Sequence, residues 1–341
     1  MIIFHKQFVF IGLLFLLIGE SHVINAPPGG GGGYDFAKGI YRHVCEVEGR
    51  EFPVTFADIW RTEFRDGEYK LRISHNVRRK KCFYVHDPNK APTQWVTDLL
   101  FVLEAIKDSS PSEINVIFPY LRFARQDRKD ESRVGVNVKA VADMVSFYAN
   151  RGLTIDLHAP QIQEFFNIPF DNLFSSPVVI NYLKRVHPEL LNNLVVVSPD
   201  AGGGKRVESF QKRLAKDGII SEMAICYKRR ARENEVEEIK IMGDVRGKNC
   251  FVVDDIIDTG GTLIKTGLAL KEQGAERVCA YGTHGLFSDG TGKFGVFDKI
   301  MASDTLVAEK SDNFEVVSMT ELFGEAVYRT IIGASLSSLF E

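Results

Sequence analysis

The stretch "FVVDDIIDTGGTL", Phe251 to Leu263, carries the strongest fold signal in the chain. Its apolar residues predict a buried strand, and the adjacent carboxylates of Asp254 and Asp255 come at the end of that strand. A third carboxylate, Asp258, opens a loop of small residues, and helical spacing follows the loop. The stretch therefore predicts a strand–loop–helix unit that brings acids and glycines to one end of a strand.

Short apolar runs alternate with helical segments on both sides of this unit. The strand-like runs are KCFYVH (81–86), INVIFPYL (114–121), LTIDLH (153–158), NLVVVSPD (193–200), MAICYK (223–228), NCFVVDD (249–255) and RVCAYGTHG (277–285). Helical segments separate them, and the residues on one stripe of 93–109 are Trp95, Leu99, Val102, Leu103 and Ile106. This alternation predicts an α/β fold with mainly parallel sheets covered by helices. Two such series in 341 residues predict two domains, 34–178 and 179–341.

The first 33 residues differ from the rest of the chain. "FVFIGLLFLLI", Phe8 to Ile18, has the length of a signal-peptide core and is short for a membrane span. "PPGGGGG" (27–33) has the composition of a flexible linker. We therefore expect residues 1–33 to be a leader and linker outside the fold, which leaves targeting to an organelle or to the secretory route open.

Bulk composition narrows the class of protein. A net charge of −3 gives no attraction of the whole chain to nucleic acid or to anionic membranes. The five cysteines are scattered and lack C-x-x-C spacing, which argues against a disulfide framework or a zinc site.

Charged residues and glycines follow several predicted strands directly. Ligands of open parallel sheets bind at the carboxyl ends of the strands. The residues at these ends are Asp156 and His158, then Asp200 with Ala201, Gly202, Gly203 and Gly204, then Lys228, Arg229 and Arg230, and finally Asp254 and Asp255. This repeated placement predicts a binding site.

The loop from Asp258 to Thr262 has the composition of a monophosphate site. Its glycines let the backbone approach an anion, and the N-terminus of the following helix favours negative charge. Asp254 and Asp255 cannot hold phosphate, but they can accept hydrogen bonds from vicinal sugar hydroxyls or bind Mg²⁺ through water. The combination suits a phosphorylated sugar. The alternative is an ordinary helix cap beside solvated acids.

Several separated stretches carry a family resemblance. "FVVDDIIDTGGT" resembles the phosphoribosyl-diphosphate binding element of type I phosphoribosyltransferases. The stretches that narrow the resemblance to ribose-phosphate diphosphokinase are FRDGE (64–68), FARQDRKDESR (123–133), TIDLHAPQIQEFFNIPFDNL (154–173) and VVVSPDAGGGKR (195–206). The resemblance runs in order from about Thr62 to Phe340. It implies two tandem phosphoribosyltransferase-like domains and a cytoplasmic location.

The resemblance also implies a role for each matching residue. Those that would contact ATP are Phe64, Asp66, Gly67 and Glu68, acting in a neighbouring subunit, with Arg125 and Gln126. Those that would hold Mg²⁺ are His158 and Asp200, with Asp156 nearby, and those that would line the diphosphate loop are Asp200, Ala201, Gly202 and Gly203. Those that would bind ribose 5-phosphate are Asp254, Asp255, Asp258, Thr259, Gly260, Gly261 and Thr262. Lys228 and Arg230 would be catalytic, at the start of a charged loop that closes over the phosphates.

The implied reaction moves the β,γ-diphosphoryl group of ATP to the C1 hydroxyl of ribose 5-phosphate and leaves AMP. Because the ATP site is shared between subunits, an oligomer is expected, and the resemblance implies a hexamer. Two alternatives stay open: a non-catalytic homologue that regulates active subunits, and a phosphoribosyltransferase that consumes the product. The first is disfavoured because Lys228 and Arg230 are present without a large insertion, and the second would not need FRDGE or His158.

Overall fold

The computed structural model describes residues 8–12, 32–48, 54–229 and 238–340. The chain divides into two compact units. The first contains the described residues up to Phe174 together with Thr320–Phe340, and the second contains Ser175–Met319. Each unit is built on a mainly parallel sheet with helices. The predicted α/β fold class is therefore confirmed.

The first unit contains a six-stranded sheet in which all neighbouring strands are parallel. Across the sheet, the strands are β2 (Val54–Ala57), β1 (Phe8–Gly12), β5 (Lys81–Val85), β6 (Glu113–Ile117), β7 (Arg151–Ile155) and β8 (Phe170–Leu173). A separate antiparallel hairpin consists of β3 (Ile59–Glu63) and β4 (Tyr69–Ile73). The helices of the unit are α1 (Gly32–Glu48), α2 (Pro92–Asp108), α3 (Asn137–Tyr148) and α7 (Thr320–Ile332).

Helix α2 confirms the apolar stripe predicted from its spacing. Its buried residues are Trp95, Leu99, Val102, Leu103 and Ile106, and all of them lie in the core of the first unit. The helix buries one further residue that hydrophobic spacing does not select, Asp98. A buried carboxylate needs hydrogen-bond partners, and those of Asp98 are described below.

Two parts of the chain lie elsewhere than the sequence suggested. Residues 1–33 were expected outside the fold, but Phe8–Gly12 forms a strand between β2 and β5, and α1 begins at Gly32. A buried parallel strand also requires a short, uninterrupted apolar run. The pattern alone therefore does not distinguish a signal-peptide core from a buried strand. The rest of the leader lies outside the described residues.

Helix α7, inside the predicted 179–341 domain, belongs with the first unit, where the Phe36 and Phe323 rings lie 5.2 Å apart.

The second unit contains a seven-stranded sheet that is parallel except for its edge strand. Across the sheet, the strands are β11 (Glu238–Met242), β10 (Ser221–Arg229), β9 (Leu194–Ser198), β12 (Asn249–Ile257), β13 (Arg277–Gly285), β14 (Lys299–Ser303) and β15 (Phe314–Val317), with β11 antiparallel to β10. Its helices are α4 (Ser176–Val186), α5 (Gly204–Lys216) and α6 (Gly261–Glu272). Valines of β9 and β12 fill the core, as expected for strands covered on both faces.

Candidate active site

The first unit brings three predicted site residues to one cavity. Arg125 and Gln126 come after β6 in the chain, and His158 comes after β7. These two strands are parallel neighbours, so the segments that follow them leave the same edge of the sheet. The cavity measures about 270 Å³ and is lined by Arg125, Gln126, Asp127, Arg128, Asp130, His158, Ala159 and Gln161. Charges of both signs in one cavity suit a polar, charged ligand.

Asp156 occupies a strained turn at the end of β7. Its φ is +43°, an uncommon value for a residue other than glycine, and its N–H donates a hydrogen bond to the Leu173 carbonyl at 2.9 Å. The turn leads to the exposed His158. Asp156 itself is half-buried and does not line the cavity.

The predicted adenine-binding residues Phe64, Asp66, Gly67 and Glu68 lie at the tip of the β3–β4 hairpin. All of them are exposed, and Phe64 is 50 % exposed, which is unusual for a large apolar side chain. Gly67 has a φ of +90°, which only glycine adopts readily and which the tight turn requires.

In the second unit, β12 extends beyond its neighbour β9. Pairing between the two strands stops at Val252 and Val197, although β12 continues to Ile257. We predicted that this strand would end at Asp254 and Asp255; both residues instead lie inside it, because β13 continues to pair with it. The acids therefore project past the point at which β9 turns into its loop.

Hydrogen bonds to Asp200 hold the loop after β9 in a tight turn. Oδ1 of Asp200 accepts a hydrogen bond from the Gly203 N–H at 2.9 Å, and the Ser198 hydroxyl donates to the Asp200 carbonyl at 2.6 Å. A Cβ atom on Gly203 would lie 2.5 Å from the Ser198 hydroxyl, so a larger residue does not fit there. Asp200, Ala201 and Gly202 are exposed at the end of this loop.

Arg206 links this loop to the acidic pair, and sequence reasoning missed it. The residue lies in the first turn of α5, directly after the glycines. Its two terminal nitrogens lie 3.0 Å from Oδ1 of Asp254 and 2.9 Å from Oδ1 of Asp255. The guanidinium thus contacts both neighbouring carboxylates with its fork. The only signal in the sequence was an arginine soon after "DAGGG", which by itself suggests no partner.

Ionisation of the acidic pair is unfavourable even with Arg206 beside it. Burial raises the pKa of Asp254 to about 8, and the nearby charge of Asp255 adds to the increase, whereas Arg206 opposes it. The Asp255 side chain is 6 % exposed and that of Asp254 is 26 % exposed. The cation therefore favours the ionised form of Asp254, which is the form that accepts hydrogen bonds from hydroxyl groups.

The loop between β12 and α6 has the geometry expected of an anion site. Gly260 is left-handed with a φ of +73°, and a Cβ atom there would lie 2.4 Å from the Phe294 ring. Thr259 and Gly261 are exposed, and Thr262 lies in the first turn of α6. Asp258 accepts a hydrogen bond from the Ser288 hydroxyl. The first N–H groups of α6 therefore face a loop that carries little side-chain bulk.

The residues predicted to be catalytic lie at the limit of the described chain. Lys228 and Arg229 are the last residues of β10, and the backbone of Lys228 pairs with that of Ile239. Arg230 and the rest of the charged loop up to residue 237 lie outside the described residues. Lys228 was predicted to begin a loop, but the structure places its backbone within a strand.

Two properties concern the described residues as a whole. Within 8–12, 32–48, 54–229 and 238–340, no three His, Cys, Asp or Glu side chains are grouped closely enough to hold a metal ion alone. No helix in these ranges has the length and apolar character that a membrane span requires.

The fold and the sites define a class of protein, and two models of known domains match the chain. The model for "N-terminal domain of ribose phosphate pyrophosphokinase" matches residues 34–148, and the model for "Phosphoribosyl transferase domain" matches residues 176–290. The chain thus contains two domains of the phosphoribosyltransferase type.

Individual relatives identify the family. A ribose-phosphate pyrophosphokinase of Chlorobaculum tepidum is 40 % identical over 82 % of this chain and 85 % of its own length. The one of Agrobacterium fabrum is 38 % identical over 90 % of this chain and 99 % of its own length. The crystal structure of phosphoribosylpyrophosphate synthetase from Mycobacterium smegmatis covers 96 % of this chain and all (100 %) of its own, with 26 % identity and a TM-score of 0.79. The chain belongs to the ribose-phosphate pyrophosphokinase family.

Proposed function

We propose that the chain is a ribose-phosphate diphosphokinase that transfers the β,γ-diphosphoryl group of ATP to the C1 hydroxyl of ribose 5-phosphate. The observation that carries the proposal is the edge of the second sheet, where Arg206 joins the Asp200–Gly203 loop to Asp254 and Asp255. The Asp258–Thr262 loop follows on the same strand. Family membership favours this enzyme over a non-catalytic regulatory subunit.

In this proposal, the second unit binds the sugar phosphate. The α6 N-terminus and the N–H groups of Asp258–Thr262 bind the 5-phosphate, because backbone donors at a helix N-terminus favour an anion. Asp254 and Asp255 accept hydrogen bonds from the ring hydroxyls, and Arg206 favours the ionised form of Asp254 by opposing the increase in its pKa. The Asp200–Gly203 loop offers backbone N–H groups to the diphosphate.

The first unit and the charged loop supply the nucleotide side. Arg125 and Gln126 contact ATP from the cavity that they share with His158, and the tip residues Phe64–Glu68 bind the adenosine of a neighbouring subunit's ATP. Attack at the β-phosphorus is mostly a matter of orienting two anions, so Lys228 and Arg230 act by stabilising the charge that develops on the phosphates. We therefore also propose a homo-oligomer, of six subunits by family analogy, and a cytoplasmic location.

The available donors fit Mg²⁺ carried by the nucleotide. Mg²⁺ keeps several waters and usually takes one or two protein ligands in addition to substrate phosphates. His158 and Asp200 would hold the ion, with Asp156 nearby, and the ion would neutralise charge on the phosphate oxygens.

The direct test is AMP formation from ATP, ribose 5-phosphate and Mg²⁺. We expect AMP and phosphoribosyl diphosphate in equal amounts, and no AMP when ribose 5-phosphate is omitted. A folded chain that forms no AMP but alters the activity of an active relative would support the regulatory alternative. Release of diphosphate from phosphoribosyl diphosphate only when a nucleobase is added would support a phosphoribosyltransferase.

A further inference from the structure

A buried carboxylate on α2 holds the base of the hairpin that carries residues 64–68. Asp98 is 3 % exposed. Its Oδ1 accepts hydrogen bonds from the Tyr69 hydroxyl at 2.6 Å and from a terminal nitrogen of Arg61 at 3.4 Å. Since Arg61 lies on β3 and Tyr69 on β4, one carboxylate contacts both strands of the hairpin.

The two hairpin residues also contact each other. The Arg61 guanidinium lies 3.6 Å from the centre of the Tyr69 ring, which is a cation–π contact. The Tyr69 ring lies 5.6 Å from that of Phe101 on α2, and its hydroxyl is 2.9 Å from the hydroxyl of Thr97. Burial raises the pKa of Asp98, whereas the bond from Tyr69 and the charge of Arg61 oppose the increase. The cluster therefore pairs a costly buried acid with two donors from one hairpin.

The tip of the hairpin holds its shape through its own hydrogen bonds. The Phe64 N–H donates to the Glu68 carbonyl at 2.7 Å, and the Gly67 N–H donates to the Phe64 carbonyl at 3.1 Å. The Glu68 N–H donates to Oδ1 of Asp66 at 3.0 Å. Because the turn is preformed, its direction depends on how the two strands below it are anchored. Tyr69 is the residue that follows Glu68, so the Asp98 contact lies directly below the tip.

We infer that Asp98 is a positioning residue for ATP, which acts by fixing Arg61 and Tyr69 and thereby the direction of residues 64–68. The inference rests on the proposed function, in which those tip residues bind the nucleotide. It assigns a role to a carboxylate that no motif selected. A role limited to the fold would change the stability of the first unit without affecting one substrate selectively.

The test compares Tyr69→Phe and Asp98→Asn with the unmodified chain. Tyr69→Phe removes the 2.6 Å hydrogen bond but keeps the ring under Arg61. A hydrogen bond to a charged group is strong enough that we expect the KM for ATP and its dissociation constant to rise about tenfold. Asp98→Asn should shift both in the same direction. The KM for ribose 5-phosphate and kcat at saturating ATP should stay within about twofold, because the tip binds only the adenosine of ATP in the proposed function.

A matched control is Asp171→Asn in the same unit. Asp171 on β8 pairs with Nε of Arg151 on β7 at 2.7 Å, so the change also removes a partly buried ion pair. We expect it to leave the affinity for ATP unchanged even if the melting temperature falls. Unchanged ATP affinity in both Tyr69→Phe and Asp98→Asn would overturn the inference. If Asp98→Asn does not fold, Tyr69→Phe decides alone.

ATP binding and AMP formation by the unmodified chain keep this test distinct from the test of the proposed function. An unmodified chain that binds ATP but forms no AMP would contradict the proposed reaction, while the ratio of ATP dissociation constants would still decide the role of Asp98. An unmodified chain that forms AMP, with variants whose ATP affinity is unshifted, would contradict the role of Asp98 alone. A chain that does not bind ATP would contradict both.

Discussion

Replacement of Lys228 by alanine is expected to lower kcat by about a thousandfold or more. Lys228 lies at the end of β10, directly before the charged loop, and a lysine is a mobile point charge that can follow phosphate oxygens as their charge grows. Because this interaction strengthens in the transition state, the loss should fall on kcat rather than on KM. We expect the melting temperature to change little.

The matched control for this lysine is Lys240→Ala on the adjacent strand. Lys240 pairs with Tyr227, whereas Lys228 pairs with Ile239, so the two lysines occupy consecutive register positions of the same strand pair. The control should retain almost full turnover. A Lys228→Ala variant with near-normal kcat would refute the catalytic role of this loop, and equal losses in both variants would indicate a general effect of charge.

Replacement of Arg206 by methionine is expected to lower kcat/KM for ribose 5-phosphate by about a hundredfold, corresponding to about 2.7 kcal/mol. The change removes the cation that forms ion pairs with both Asp254 and Asp255. Since Arg206 opposes the increase in the pKa of Asp254, its loss should raise that pKa further above about 8. The ionised fraction of Asp254 at neutral pH would then fall further, and fewer molecules would offer the sugar hydroxyls this acceptor.

The pH dependence of kcat/KM for Arg206→Met has a predictable direction. A carboxyl with a raised pKa ionises only at higher pH, so the acid limb of the kcat/KM profile should move to higher pH, and the deficit should shrink as pH rises. The control is Lys212→Met on the same helix, where a 72 % exposed lysine pairs with Glu208. It should leave both the rate and the profile unchanged. A hundredfold loss that is independent of pH would contradict the electrostatic role of Arg206.

Hydrophobic spacing predicted the sheets and helices because strands and helices bury apolar residues with different periods. The stripe of α2 and the run before Asp254 are clear examples. Spacing could not separate a leader from a strand at Phe8–Gly12, because both require an uninterrupted apolar run. It also could not assign α7 to the first unit, because packing between helices distant in sequence leaves no local signal.

For the candidate site, the sequence indicated residue types but not their partners. His158 could be grouped with Arg125 and Gln126 only once β6 and β7 were seen as neighbours. Arg206 and Asp98 carry no motif, since their importance depends on contacts with residues that are distant in sequence. The assignments of Lys228 and Arg230 stay predictions, because the Lys228 side chain and all of Arg230 lie outside the described part of the chain.

The most direct measurement of the central claim follows the β-phosphate of ATP. ATP labelled at the β-phosphorus is incubated with the purified chain, ribose 5-phosphate and Mg²⁺, and the products are separated. A diphosphokinase must place the label in phosphoribosyl diphosphate and leave AMP unlabelled, because the bond between the α- and β-phosphates is the one that breaks. Recovery of the label in ADP, or only in unreacted ATP, would contradict diphosphoryl transfer by this protein.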